Sequence, residues 1–244
     1  MSNSNECTGS SDPSDCPFSL YRVSGDINAH WSAVLANLEY TLPFLGEGGV
    51  HAPYPQGATV RSRPGGWAYP DMLEVGNLAN ATEDRSHFSA WAIMSSPLIL
   101  SFNLTDPARM GRAWPIISNK RVLAVNQKWA GDPGRRLALG ADGSQAWAKL
   151  LGCVSYAVFL LNGGEQPQLE VVLPLRNVSS ALGGKAACAR DLYTGKPLPL
   201  IAAGAALRAT LAAHDSGMYC VWPASGGDIG GARGACDGAN ECPS

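Results

Sequence analysis

Two patterns of hydrophobic and polar positions follow one another along the chain. From about residue 18 to 128, short apolar runs alternate with helical periodicities. "FSLYRV" reads as a short buried strand. After it, Trp31, Val34, Leu35 and Leu38 recur at i, i+3, i+4 and i+7, which predicts an amphipathic helix. The Gly/Pro-rich stretch 46–66 must be loop, and "GGWAYPDMLEVG" reads as a strand end running into another loop. "NATEDRSHFSAWAIM" predicts a helix, with Asn80 and Glu83 spaced as a capping box and Phe88, Trp91 and Ala92 on one face. "PLILSF" then reads as a strand and "NKRVLAVNQ" as a helix. This alternation predicts β/α units around a parallel sheet.

Past residue 130 the period shortens to two. "SQAWAKLLG", "VSYAVFLLN", "QLEVVLPL", "ACARDLYTGKPL" and "SGMYCVW" are short apolar runs parted by Gly, Asn and Pro turns. They predict an antiparallel β-sandwich without a notable helix. The fold class is therefore α/β followed by all-β. Residues 1–128 form the first unit, 129–224 the second, and the Gly-rich stretch 225–244 is expected to be a disordered tail.

Composition narrows the function. A formal charge of −2 and no cluster of more than two adjacent Lys/Arg argue against nucleic acid or an anionic membrane as partner. The longest apolar run is too short and too interrupted to span a bilayer. No signal peptide is visible at the N-terminus. Sequons at Asn80, Asn103 and Asn177 nevertheless suit a secretory route. Seven cysteines leave one over if the rest pair, Cys7/Cys16 and Cys236/Cys242 being candidate local pairs among Cys7, Cys16, Cys153, Cys188, Cys220, Cys236 and Cys242. The four histidines are scattered and no Cys-x-x-Cys or Gly-rich phosphate motif occurs, so no metal and no cofactor is expected. His87, one helical turn from Trp91, reads as a packed or hydrogen-bonded histidine.

The candidate chemistry lies in two stretches. If "LYRVSGD" is a strand, Arg22, Ser24 and Asp26 share one face, with Asp26 towards its C-terminal end. Such a pair either works on a substrate or is a structural ion pair. In "GGWAYPDMLEVGN", Pro70 fixes the backbone before Asp71 and Met72, Gly65 and Gly66 permit close approach, and Trp67 offers an aromatic wall. A simple turn with a capping Asp is the other reading, and Glu74 can be a surface carboxylate.

"YRVSGDINAHW", "GGWAYPDMLEVGN", "EDRSHFSAWAIMSSPLIL" and "VLAVNQ" stand in this order and spacing in the melibiase-type α-galactosidases, which the chain resembles from about residue 16 to 128. A weaker echo runs through "ARDLYTGKPL" and "HDSGMYCVW". The resemblance implies a (β/α)8 (TIM) barrel, of which about the last three strands are here, followed by an antiparallel β-sandwich. It implies a retaining glycosidase removing terminal α-linked galactose or a related sugar, with a secreted, lysosomal or vacuolar full-length protein. Matched residue by residue, Asp26 is the general acid/base and Arg22 a cation holding the substrate. Asp71, and more weakly Met72 and Trp67, close the sugar pocket. The acid protonates the glycosidic oxygen and then, as a base, activates water.

Two departures matter. The family's Trp-Asn-Asp-Pro-Asp reads Trp67-Ala68-Tyr69-Pro70-Asp71 here, so the first acid is lost. The nucleophile belongs to a Lys-x-Asp strand upstream, and the 25 residues before Asp26 hold no such motif. The expectation is therefore a chain that begins after the fifth barrel strand and lacks the nucleophile. A catalytically inactive sugar-binding protein and a vestigial fragment remain the alternatives.

Overall fold

The structure is a computed structural model that describes residues 19–45 and 62–225. Strand β1 (Leu20–Arg22) pairs in parallel with β2 (Trp67–Tyr69), in the register Leu20↔Trp67, Tyr21↔Ala68 and Arg22↔Tyr69. Between them runs helix α1 (Trp31–Thr41), which buries Trp31, Val34, Leu38 and Thr41 along one stripe. Pro43 then turns the chain through a 3₁₀ turn, Leu42–Phe44. "PLILSF" is not the strand its composition suggests. It contributes one parallel bridge, Leu73↔Leu100, beside the two-stranded sheet.

Helix α2 (Ala81–Ile93) begins as the capping box requires. Asn80 Oδ1 accepts from Glu83 N at 2.9 Å, while the Glu83 carboxylate reaches back to Ala79 N. It is buried far more completely than one apolar face suggests, since ten of its residues from Glu83 to Ile93 are inaccessible. The reason is its position, between α3 (Pro107–Ile117) and α4 (Lys120–Gln127) on one side and the β-sheet on the other. Helix α3 is not among the elements predicted from the sequence, and it contains Pro115. That proline falls in the last turn, and Asp106 caps the other end by accepting from Ala108 N and Arg109 N.

The second half holds a five-stranded antiparallel sheet in the order β3-β4-β5-β9-β7, and a two-stranded β6–β8 sheet. Its strands are β3 (Arg135–Leu139), β4 (Ser144–Leu150), β5 (Tyr156–Asn162), β6 (Leu169–Pro174), β7 (Ala187–Asp191), β8 (Ala206–Leu211) and β9 (Ser216–Pro223). The pleat sorts their side chains. Val158, Leu160 and Val221 face β6–β8, with Val171, Leu173 and Leu207 opposite. Trp147, Phe159 and Met218 face the helices and share a core with Phe88, Trp91 and Ile93 of α2. Strand β5 is apolar on both faces for that reason. The only helical pieces of this half among the described residues are short: a 3₁₀ turn at Leu175–Asn177 leads into a single helical turn, α5 (Ser180–Gly183). Its N-cap, Ser179, accepts from Leu182 N. The expectation of a disordered tail and the pairs Cys7/Cys16 and Cys236/Cys242 fall outside the described residues.

Candidate functional site

Arg22 ends β1 and Tyr69 ends β2, side by side in register. Both strands stop there, so the chain that follows them crosses the same edge of the sheet. The regular strand does not extend to Asp26, and the shared-face argument from i, i+2, i+4 spacing fails for it. The contact exists all the same, because the loop folds back. Arg22 Nη2 donates to Asp26 Oδ1 at 2.7 Å and to Asp71 Oδ2 at 2.8 Å. One guanidinium nitrogen thus joins the two carboxylates that sequence analysis selected from stretches 45 residues apart.

The carboxylates differ sharply in environment. The Asp26 side chain is 96% exposed, so its ion pair with Arg22 adds little to stability. Asp71 is buried, and its Oδ2 also accepts from Ile27 N at 2.8 Å. Its backbone is held as tightly. Asp71 adopts φ +84°, a left-handed conformation that costs a non-glycine residue about 1–2 kcal/mol. The flanking carbonyls are pinned from two helices: Trp91 Nε1 donates to Asp71 O and Asn37 Nδ2 to Pro70 O, each at 2.8 Å. At about 1 kcal/mol each, with the charged bond worth more, these bonds outweigh the strain.

Helix α2 supports the loop twice. His87 lies one turn before Trp91, and its Nε2 accepts from Glu74 N at 3.2 Å while the two rings pack 4.1 Å apart. Burial pushes His87 down to about 3, which keeps the ring neutral and its Nε2 free to accept. Glu74 is committed to the turn, accepting from Asn77 Nδ2 at 2.7 Å. Met72 follows Asp71 and is 37% exposed. Asn37 and Trp91 are the positioning residues that reading the sequence did not select. A polar Asn on the buried stripe of α1 was the one available signal.

Trp67 is not brought into this cluster. It opens β2, at the other end of the strand from Asp71, and packs edge-to-face on Trp129 at 5.4 Å. There it lines a cavity of about 470 Å³ with Leu20, Ser95, Ser96 and Asn126.

Comparison with known proteins follows the same division of the chain. Residues 15–128 match the family described as Alpha galactosidase A, and residues 141–221 match the Alpha galactosidase C-terminal beta sandwich domain. An α-galactosidase of Oryza sativa subsp. japonica is 32% identical over 204 residues, which are 83% of this chain and 44% of that protein. One from Cyamopsis tetragonoloba is 30% identical over 206 residues, 84% and 45% of the two chains. The chain therefore spans less than half the length of these relatives. Among solved structures, an α-galactosidase of Saccharomyces cerevisiae superposes with a TM-score of 0.70 at 21% identity, over 84% of this chain and 59% of that one. A β-L-arabinopyranosidase of Geobacillus stearothermophilus does so with a TM-score of 0.69 at 21% identity, over 86% and 46%. Both likenesses concern the fold.

Proposed function

Since the chain belongs to the melibiase-type α-galactosidase family, we propose that it serves the hydrolysis of terminal α-linked galactose by a retaining double displacement. On this reading β1, β2 and the segment bridged at Leu100 occupy successive strand positions of a (β/α)8 barrel, and residues 129–224 are its β-sandwich companion. Asp26 is the general acid/base. Its exposure leaves it free to meet a glycosidic oxygen, and Arg22 aims it. Arg22 and Asp71 hold the sugar by charged hydrogen bonds, and Met72 lends the apolar contact. The observation that carries this is the single Arg22 nitrogen shared by Asp26 and Asp71 where two parallel strands end. Catalytic groups of β/α barrels gather at that end of the strands.

A retaining mechanism needs a second carboxylate about 5 Å from the first. Asp71 is close enough but is engaged by Arg22 and Ile27 N, so it is assigned to binding. No nucleophile is assigned among the described residues. The engagement of Asp71 by Arg22 and Ile27 N supports a second reading, a sugar-binding protein without turnover. A secreted, lysosomal or vacuolar location fits the exposure of Asn80, Asn103 and Asn177 as sites for glycans.

The test is release of galactose from an aryl α-galactoside by the purified full chain, beside galactose binding followed by ligand-observed NMR. Hydrolysis that falls roughly 10²–10⁴-fold in Asp26→Asn establishes the enzyme. Binding that Asp71→Asn abolishes, without turnover, selects the second reading. Absence of both sinks the site.

A further inference from the structure

Tyr69 occupies the position where this family's motif carries an acid, and the structure sets it beside Arg22 as its register partner. Paired residues on neighbouring strands project from the same side of a sheet, so phenol and guanidinium share a face. The ring is 8% exposed, and the charged groups acting on it are Asp71 and Arg22. Burial, and after it the Asp71 carboxylate, push the phenol up to about 12, with Arg22 pulling the other way. Tyr69 is therefore a neutral hydroxyl at any working pH. Among the described residues nothing hydrogen-bonds that hydroxyl, and it is not sealed from solvent.

We infer that Tyr69 is a specificity-determining residue of this site, its hydroxyl hydrogen-bonding one hydroxyl of the bound sugar between Arg22 and Asp71. The inference rests on the proposed sugar site and deepens it. Charge supplies the physical reason. Arg22 already serves two carboxylates, and a third at position 69 would leave the cluster further from neutrality. A phenol keeps a polar hand at that place, able to donate or accept, without adding charge. Its ring also fills volume that a carboxylate would leave open, which selects for a plain hydroxyl on the sugar over a bulkier substituent.

The experiment measures affinity of the full chain for methyl α-galactoside and for its single-deoxy analogues, in wild type, Tyr69→Phe and Asp71→Asn. The expected result is a loss of about 3- to 10-fold in Tyr69→Phe, the range of one neutral hydrogen bond. That loss should vanish with the one analogue that lacks the partner hydroxyl. If Asp71→Asn abolishes binding while Tyr69→Phe binds every sugar as wild type does, the role of Tyr69 is overturned and the sugar site stands. If wild type binds none of these sugars, the site itself fails and the inference with it.

Discussion

At the scale of the residue, the geometry of the Asp71 loop depends on buried groups outside the Arg22–Asp26–Asp71 cluster. Asp71 holds its left-handed backbone because Trp91 and Asn37 occupy the carbonyls on either side. His87 holds the next turn, and it does so only while neutral, since protonation would convert its Nε2 from acceptor to donor. That has a pH signature whose sign is fixed. The folded ring resists protonation down to about 3, whereas the unfolded chain protonates near 6.5. Stability linked to His87 is thus complete above pH 6.5 and is lost as the pH falls towards 3, by about 1.4 kcal/mol per unit within that window. Denaturant unfolding from pH 7 to pH 4 should show this slope in wild type and a shallower one in His87→Gln, which keeps an acceptor for Glu74 N. Equal slopes in the two proteins would refute the assignment.

At the scale of the element, close approach matters more than propensity. The loop before β3 passes directly over the end of α2, where Gly134 N donates to Ile93 O at 2.9 Å. A Cβ at Gly134 would lie inside contact distance of that oxygen, and the clash is with backbone that cannot rotate away. Gly134→Ala should therefore cost about 1–3 kcal/mol, the usual penalty of overpacking, read as a lower unfolding midpoint with an unchanged m-value. A neutral outcome would mean the loop can lift from α2. Lys149 makes a second junction. Its buried ammonium donates to Ser95 Oγ at 2.6 Å and to the Val125 and Asn126 carbonyls where α4 ends. Burial brings it down to about 7.

At the scale of the whole molecule, the helices and the five-stranded sheet share one apolar core, in which Phe88, Trp91, Trp147, Phe159 and Met218 meet. Polar contacts reinforce the seam. Arg136 of β3 pairs with Glu39 of α1, Arg85 of α2 with Asp215 at 2.5 Å, and His214 bonds Glu83 at 2.9 Å. A core that belongs to both halves predicts one cooperative transition. Calorimetry should give a single peak whose van't Hoff and calorimetric enthalpies agree, and Phe159→Ala should shift all of it. Two separable peaks would mean that the halves fold independently.

The sequence by itself determined the helices α1, α2 and α4, the change from helical to alternating period, the capping of α2 by Asn80, and the four motifs that carry the family. Each is written in short local windows, in side-chain periodicity or local hydrogen bonding. It also selected Arg22, Asp26 and Asp71, although for Asp26 the strand geometry invoked was wrong. Only the tertiary structure decided that both carboxylates meet on one Arg22 nitrogen, that Trp67 lies at the far end of its strand, and that α2 is buried on nearly every face. It alone showed Asn37, His87 and Trp91 holding the Asp71 loop in place. Those facts depend on which distant surfaces come together, and a chain position carries no record of a partner 20 or 50 residues away until packing brings the two into contact.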